Sequence, residues 1–271
     1  MIRFLATDLD GTILVRDCKG YRRSDIETLK TAGEKGIVRV IATGRTLKSA
    51  TDVIPEWFPV DYLVFSSGAG VYDWKHKQIL KVKHLGADKT KQIIPLLKNR
   101  ELNFTLHWPI PDNHCFYYAE GKSDHADFER FVAYNEKYAF SLEEEMPGKD
   151  YTQVLAFLPD AGMYDQIASM VDGVKTVRAT SPIDGKSVWM EFFCKNVSKA
   201  EGLKFICSLE GINEDEVVVV GNDFNDLDML DAFRHSFVVA DAPEELREKF
   251  DVTVSAYEGP LKDVAEKLSI L

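Results

Sequence analysis

Ile2-Arg3-Phe4-Leu5-Ala6-Thr7-Asp8-Leu9-Asp10-Gly11-Thr12 lies near the start of a 271-residue chain. Ile2–Thr7 is a short, mostly apolar run, the pattern of a buried strand. Asp8 and Asp10 come straight after it, two residues apart, and in a regular strand they would point to opposite faces. A turn begun at Asp10 and Gly11 is needed to bring them to one site. Ligands of open α/β sheets bind at the C-terminal ends of strands. A divalent cation is what lets two carboxylates sit close together there. Asp and Gly are also common at plain strand-to-turn junctions, so the stretch gains its weight from the rest of the chain.

Working outward, strands alternate with helices. The spacing predicts a helix over Asp25–Lys35, a strand over Ile37–Ala42, a helix over Thr46–Val53 and a strand over Tyr62–Phe65. The pattern then changes to a hairpin (Val71–Trp74 and Gln78–Val82) and an α+β block running to Phe193. In that block, helices are expected at Asp88–Asn99, Asp124–Tyr138 and Met163–Val171. Its strands are expected at Phe104–Trp108, Cys115–Ala119, Gln153–Leu158, Val174–Ala179 and Val188–Phe193. Alternation resumes with a helix at Ser198–Leu209 and a β-branched strand at Glu216–Val220. The expected fold is α/β: a Rossmann-like parallel-sheet core domain, residues 1–81 and 191–271, with an inserted α+β cap domain, residues 82–190. The acidic run Glu143-Glu144-Glu145 reads as a solvated loop.

Three further segments carry chemistry. Thr43-Gly44-Arg45 follows the second strand. A hydroxyl and backbone N–H groups at a helix start can cradle phosphate, and Arg45 can pair with a phosphate or an acidic side chain. A Thr cap on an ordinary helix would look the same. Lys199 sits in a helix's first turn, against the dipole, which points to a use such as holding a phosphate or an aspartate. Val217–Val220 reads as a strand buried on both faces. It opens into Gly221-Asn222-Asp223-Phe224-Asn225-Asp226, whose oxygen-bearing side chains suit a hard cation such as Mg2+. The same side chains can also simply cap the next helix.

Composition excludes several classes. The chain is 45% hydrophobic and 28% charged, and 44 acidic against 33 basic residues leave a net charge of −11. That field repels a phosphate backbone, so no nucleic-acid partner is expected. No stretch approaches the ~20 apolar residues of a membrane helix, and no signal peptide is read at the N-terminus, so a cytoplasmic location is expected. Cys18, Cys115, Cys194 and Cys207 form no C-x-x-C pair and read as free thiols. No G-x-G-x-x-G follows the first strand, which disfavours a dinucleotide enzyme.

Asp8-Leu9-Asp10-Gly11-Thr12, Thr43-Gly44-Arg45, Lys199 and the Gly221–Asp226 turn, in this order, resemble the haloacid dehalogenase-like superfamily of phosphohydrolases. The insertion is similar to the α/β cap of its Cof-type branch. The resemblance implies a Mg2+-dependent phosphatase of small phosphomonoesters, sugar phosphates first, working through an aspartyl-phosphate. It implies that Asp8 is the nucleophile, that Asp10 is the general acid and base, and that Thr43, Gly44 and Lys199 bind the phosphoryl group. It also implies that Asp8, the backbone carbonyl of Asp10 and the Asp223 region hold Mg2+. Two positions depart from the family. Asn222 stands where an Asp usually follows the Gly, so the metal ligand is either Asn222 or Asp223. Ser67 stands where the branch has Asn before Gly-Ala, either near the phosphate or in a plain turn. Asn225, Asp226 and Arg45 are expected in support, with Asp226 orienting a metal-bound water or Lys199.

The expected partner is a small phosphorylated metabolite and the expected assembly a monomer or small homo-oligomer. Substrate choice is expected from the insertion, where Trp108, His107, His114, Tyr117, Arg178, Lys186 and Trp189 are candidates, although buried aromatics usually serve the core. The rival readings are a sugar phosphomutase of the same fold and a non-catalytic phosphometabolite-binding protein.

Overall fold

A computed structural model describes residues 1–15, 20–123, 125–142, 150–181 and 183–270. The chain divides into two compact units. The first comprises Met1–Arg45, Ser49–Lys81 and Ser198–Leu271, and the second Thr46–Lys48 and Val82–Val197.

The first unit is built on β1 (Phe4–Thr7), α1 (Arg23–Glu34), β2 (Val38–Ala42), α2 (Leu47–Thr51), β3 (Tyr62–Phe65), β4 (Gly70–Asp73) and β5 (Gln78–Val82). The second contains α3 (Ala87–Asn99), β6 (Asn103–His107), β7 (Phe116–Ala119), α4 (Ala126–Tyr134), β8 (Ala139–Ser141), β9 (Gln153–Leu158), α5 (Met163–Ala168), β10 (Val174–Thr180) and β11 (Val188–Cys194). The chain returns to the first unit with α6 (Lys199–Glu210), β12 (Val217–Gly221), α7 (Leu227–Ala232), β13 (His235–Val238), α8 (Glu244–Lys249), β14 (Asp251–Val252) and α9 (Pro260–Lys267).

The first sheet has the order β14-β13-β12-β1-β2-β3-β4-β5. The pairs from β14 through to β3 are parallel, and β4 turns antiparallel on β3. β1 lies at its centre, in register with β12 on one side (Thr7↔Val220) and β2 on the other (Thr7↔Ile41). Every residue of β1 and β12 is buried, which is why neither shows polar alternation. Because these strands run the same way, their C-terminal ends deliver Asp8, Thr43 and Asn222 to one edge.

The second unit is a six-stranded sheet of order β10-β11-β9-β6-β7-β8. Period-two alternation separates its faces. Phe104, Leu106, Val154, Ala156, Met190 and Phe192 pack with Ile93 and Leu97 of α3 and Ile167 of α5. Leu155, Phe157 and Trp189 pack with Phe128 of α4. The expected boundary at 190/191 falls inside β11, which is hydrogen-bonded to β9 and β10 along its length, so the second unit runs on to Val197. The helix expected over Asp124–Tyr138 spans Ala126–Tyr134, and Ala139–Ser141 pairs with β7 as a short parallel strand that the sequence pattern did not reveal. Asp124 and the Glu143-Glu144-Glu145 run lie outside the described residues, as does Cys18. Cys115, Cys194 and Cys207 are free thiols, as expected. Among the described residues no helix is long and apolar enough to cross a membrane.

Candidate active site

Asp8 continues the β1–β12 pairing by one step: its N–H donates to the Val220 carbonyl at 2.8 Å. The chain then reverses, with the Leu9 carbonyl accepting from Ile13 and Leu14, and the Gly11 N–H donating to the Leu14 carbonyl at 2.9 Å. Gly11 takes φ +79°, and an ideal Cβ there would overlap the Asn222 amide. The residue is Gly because both the left-handed backbone and the close approach require it. Asp8 is left 3% exposed.

Lys199 is the first residue of α6, whose N-cap Ser198 accepts from the Glu201 N–H at 3.1 Å. Its ammonium lies 2.6 Å from Asp8 Oδ1 and 2.6 Å from Asp226 Oδ1, with all three side chains buried. The unfavourable helix position is thus offset by two carboxylates. Burial alone would lower the Lys199 pKa, but Asp226 and Asp8 outweigh it and raise it, so the ammonium stays charged. Asp226 in turn accepts from the backbone N–H groups of Asn222 (2.8 Å) and Asp223 (3.2 Å) through Oδ2. One buried carboxylate therefore orients both Lys199 and the turn after β12.

Burial is the largest influence on Asp8 and pushes its carboxyl up to about 8; Lys199 opposes this, while Asp226 and Asp10 add to it. Asp10 sits at the rim. Both its oxygens are held by Arg45, from Nε and Nη2, each at 2.7 Å. The Arg45 backbone N–H donates to Thr43 Oγ1 at 3.1 Å. An ideal Cβ on Gly44 would stand 3.5 Å from Ser67 Oγ and 3.8 Å from Asn225 Nδ2, which places those two side chains beside the Thr43 loop. Ser66 and Ser67 take φ 49° and 53°, a strained left-handed pair. Gly68 then packs so tightly on the Ser198 carbonyl that a Cβ there would overlap it.

The structure thus brings together Asp8, Lys199 and Asp226, links Asp10 to Arg45 and Thr43, and sets Gly44, Ser67 and Asn225 alongside. The carboxylates of Asp8, Asp10 and Asp223 take different partners. Asp10 is turned to Arg45, and Asp223 caps the short turn Phe224–Asp226. Among the described residues no cluster of three or more His, Cys, Asp or Glu side chains forms a metal centre. A cation would instead draw on oxygens of mixed origin. The fit is nonetheless good. Asp8 and Asp226 share the Lys199 ammonium and Asp10 pairs with Arg45, so three carboxylates meet two cations when all are ionised, and the donors are hard oxygens suited to Mg2+.

Two residues near the site escaped the sequence reading. Thr12 is buried with its hydroxyl 3.5 Å from Asp8 Oδ2, and it was visible only as the last letter of the first motif. Tyr21 donates to the Val53 carbonyl and lies within the field of Asp10 and Arg45; burial, then Asp10, raises its pKa. Nothing in its sequence context marked it. The insertion candidates divide. His107 is buried between Thr105 Oγ1 and the Asn113 carbonyl, and burial pushes its pKa down to about 4. Trp189 is buried with its indole N–H on Asp127. Both belong to the cap's own core rather than to a surface for substrate. Trp108 stacks on Phe140, His114 packs edge-on to Tyr138, Tyr117 lies against Trp108, and Lys186 is exposed in the turn held by Asp184. Arg178 lies in β10. A separate hollow of about 220 Å³ lies at the opposite ends of β2 and β3, and in its wall Arg39 pairs with Asp61 and Asp73 with His76.

A family model described as haloacid dehalogenase-like hydrolase matches residues 5–259. The chain belongs to the haloacid dehalogenase-like hydrolases. Within that family it is similar to the Escherichia coli pyridoxal phosphate phosphatase YbhA, at 22% identity over 93% of both chains. It is also similar to the Bacillus subtilis 5-amino-6-(5-phospho-D-ribitylamino)uracil phosphatase YwtE, at 21% identity over 92% of this chain and 91% of that one. Among solved structures, the haloacid dehalogenase phosphatase BT1666 of Bacteroides thetaiotaomicron superposes with a TM-score of 0.81 at 20% identity, covering 100% of this chain and 96% of that one. The subclass IIB sugar phosphatase BT4131 gives 0.80 at 18% identity, over 99% and 100%. The enzyme class is phosphoric monoester hydrolase.

Proposed function

We propose that the chain hydrolyses small phosphomonoesters, with sugar phosphates the leading class, in a Mg2+-dependent reaction through an aspartyl-phosphate on Asp8. The observation that carries this reading is the buried Asp8–Lys199–Asp226 cluster at the C-terminal end of the central strand. Lys199 fixes Oδ1 of Asp8 and leaves Oδ2 facing the Thr12 hydroxyl to attack phosphorus. The new bond forms from Asp8 to phosphorus as the bond to the leaving oxygen breaks. Asp10, releasing one of its two Arg45 contacts, gives a proton to that oxygen, then takes one from the water that cleaves the acyl-phosphate and frees inorganic phosphate. Thr43 and the Gly44 backbone line the phosphoryl group, and Lys199 neutralises its charge. Asp8, the Asp10 carbonyl and the turn after β12 would hold Mg2+, which would supply further charge neutralisation. The second unit selects the substrate. The phosphatase names of the relatives, and the sugar phosphatase among the structural neighbours, support the substrate class.

The test is phosphate release from a panel of metabolite phosphates with Mg2+, with EDTA, and with Asp8→Asn. Release that needs Mg2+ and vanishes in a folded Asp8→Asn enzyme is expected. Steady turnover by Asp8→Asn, isomerised sugar phosphate without free phosphate, or binding without turnover across the panel would each overturn it.

A further inference from the structure

Two neighbouring residues compete to hold the cation in the turn after β12. On charge alone Asp223 would win over Asn222, since hard divalent cations bind carboxylates more tightly than amides. The geometry favours the other residue. The Asp223 carboxylate accepts from the Asp226 backbone N–H, while the Asp226 carboxylate reaches back to the Asp223 N–H, a reciprocal capping box. That arrangement commits Asp223 to capping the short turn Phe224–Asp226 that leads into α7.

Asn222 is placed differently. Its backbone N–H is tied to Asp226 Oδ2 at 2.8 Å, but its side-chain amide has no hydrogen-bond partner among the described residues. The amide lies against Gly11 with its nitrogen end nearest: an ideal Cβ there would overlap Asn222 Nδ2 and stand 3.2 Å from Cγ and 3.8 Å from Oδ1. Gly11 is the residue after Asp10, so the amide flanks the main-chain turn that carries the Asp10 carbonyl. The two ends of an amide exchange by a half-turn, so the same position can present its oxygen.

We infer that the third protein ligand of the cation is the Asn222 amide oxygen, and that Asp223 is a helix cap. The inference rests on the Mg2+-dependent reading above. Its consequence is a cation site with one negative ligand fewer than a carboxylate at position 222 would give. The chain therefore holds its cation loosely enough for a single substitution to tighten it.

The experiment is a calorimetric titration of Mg2+ into the metal-stripped protein, repeated with Mn2+ by the loss of the free-ion resonance signal. The proteins are wild type, Asn222→Ala, Asn222→Asp and Asp223→Asn, each checked for native circular dichroism. Asn caps a helix as well as Asp, so Asp223→Asn should keep the turn. Asn222→Asp should bind about tenfold more tightly, Asn222→Ala at least about tenfold more weakly, and Asp223→Asn within about threefold of wild type. Wild-type binding by Asn222→Ala, or loss of binding by a folded Asp223→Asn, overturns the assignment and leaves the phosphatase reading standing. Wild-type protein that binds neither ion overturns both.

Discussion

Asp226→Ala should be the most damaging single truncation in the core unit, and its cost can be worked from the contacts. Asp226 has no exposed surface and gives one oxygen to Lys199 at 2.6 Å and the other to two backbone N–H groups at 2.8 and 3.2 Å. Truncation leaves a buried ammonium with one carboxylate instead of two, and orphans both N–H donors. Breaking a buried pair costs about 3–5 kcal/mol, and the lost N–H acceptor keeps the value near the top of that range. Asp226→Asn keeps an oxygen for the N–H groups but sets an NH2 group against Lys199, so about 2–3 kcal/mol is expected. With roughly 2–4 °C of Tm per kcal/mol for a domain of this size, Asp226→Ala should melt about 10–20 °C early and Asp226→Asn about half as far. Differential scanning calorimetry reads the shifts. Phosphate release should fall about a hundredfold in both, because Lys199 is no longer aimed at Asp8. An Asp226→Ala protein melting within about 2 °C of wild type would mean that the cluster carries no such energy.

Opposite pH slopes are expected from the two units. Asp25, buried and raised to about 6 mainly by burial, keeps its proton longer folded than unfolded, so its unit loses about 3 kcal/mol as pH rises from about 4 to 6; Asp25→Asn should flatten that slope in urea titrations. His107, pushed down to about 4 by burial, works the other way: its unit gains about 3 kcal/mol from about pH 4 to 6.5, and His107→Gln should remove that gain. Gly68→Ala meets both a φ of +101° and the Ser198 carbonyl, so it should lose more than about 3 kcal/mol and displace Lys199; a normal melting temperature with normal kcat would contradict the packing. Gly221→Ala would put a Cβ 2.8 Å from the Asp226 side chain, and a kcat loss with KM little changed is expected in steady-state assays.

The central strands were readable because burial on both faces leaves a plain signature: Val217–Val220 admits no other role in a chain of this composition, and the polar stretch after it marks the sheet's functional edge. Lys199 was readable from a misfit, a cation where the helix dipole disfavours one, and its partners turned out to be two aspartates rather than one group. Strand β8 was not readable, because three residues, two of them exposed, carry no periodicity and owe their pairing to β7. The end of the inserted unit was missed for a related reason: β11 reads the same whether it pairs within the cap or starts the core, and only its register with β9 and β10 decides. His107 and Trp189 were candidates for substrate contact because aromatic rings can stack on sugar faces, although a core role is the commoner one for such residues. Their partners, Asn113 and Asp127, are fixed by tertiary packing that residue type does not encode.

The site itself shows where spacing stops being informative. Asp8 and Asp10 are two residues apart, and the turn at Gly11 was expected to bring them to one site. In the structure that turn points Asp8 inward to Lys199 and Asp10 outward to Arg45, with Asp10 still near enough to raise the Asp8 pKa. One carboxylate thus lies in a medium that raises its pKa, beside a fixed ammonium. The other is held by a guanidinium at the rim, where it can trade a hydrogen bond for a substrate oxygen. That division matches a nucleophile that must not move and an acid–base group that must act twice. It comes from where the chain turns, and not from the two aspartates being near each other in sequence.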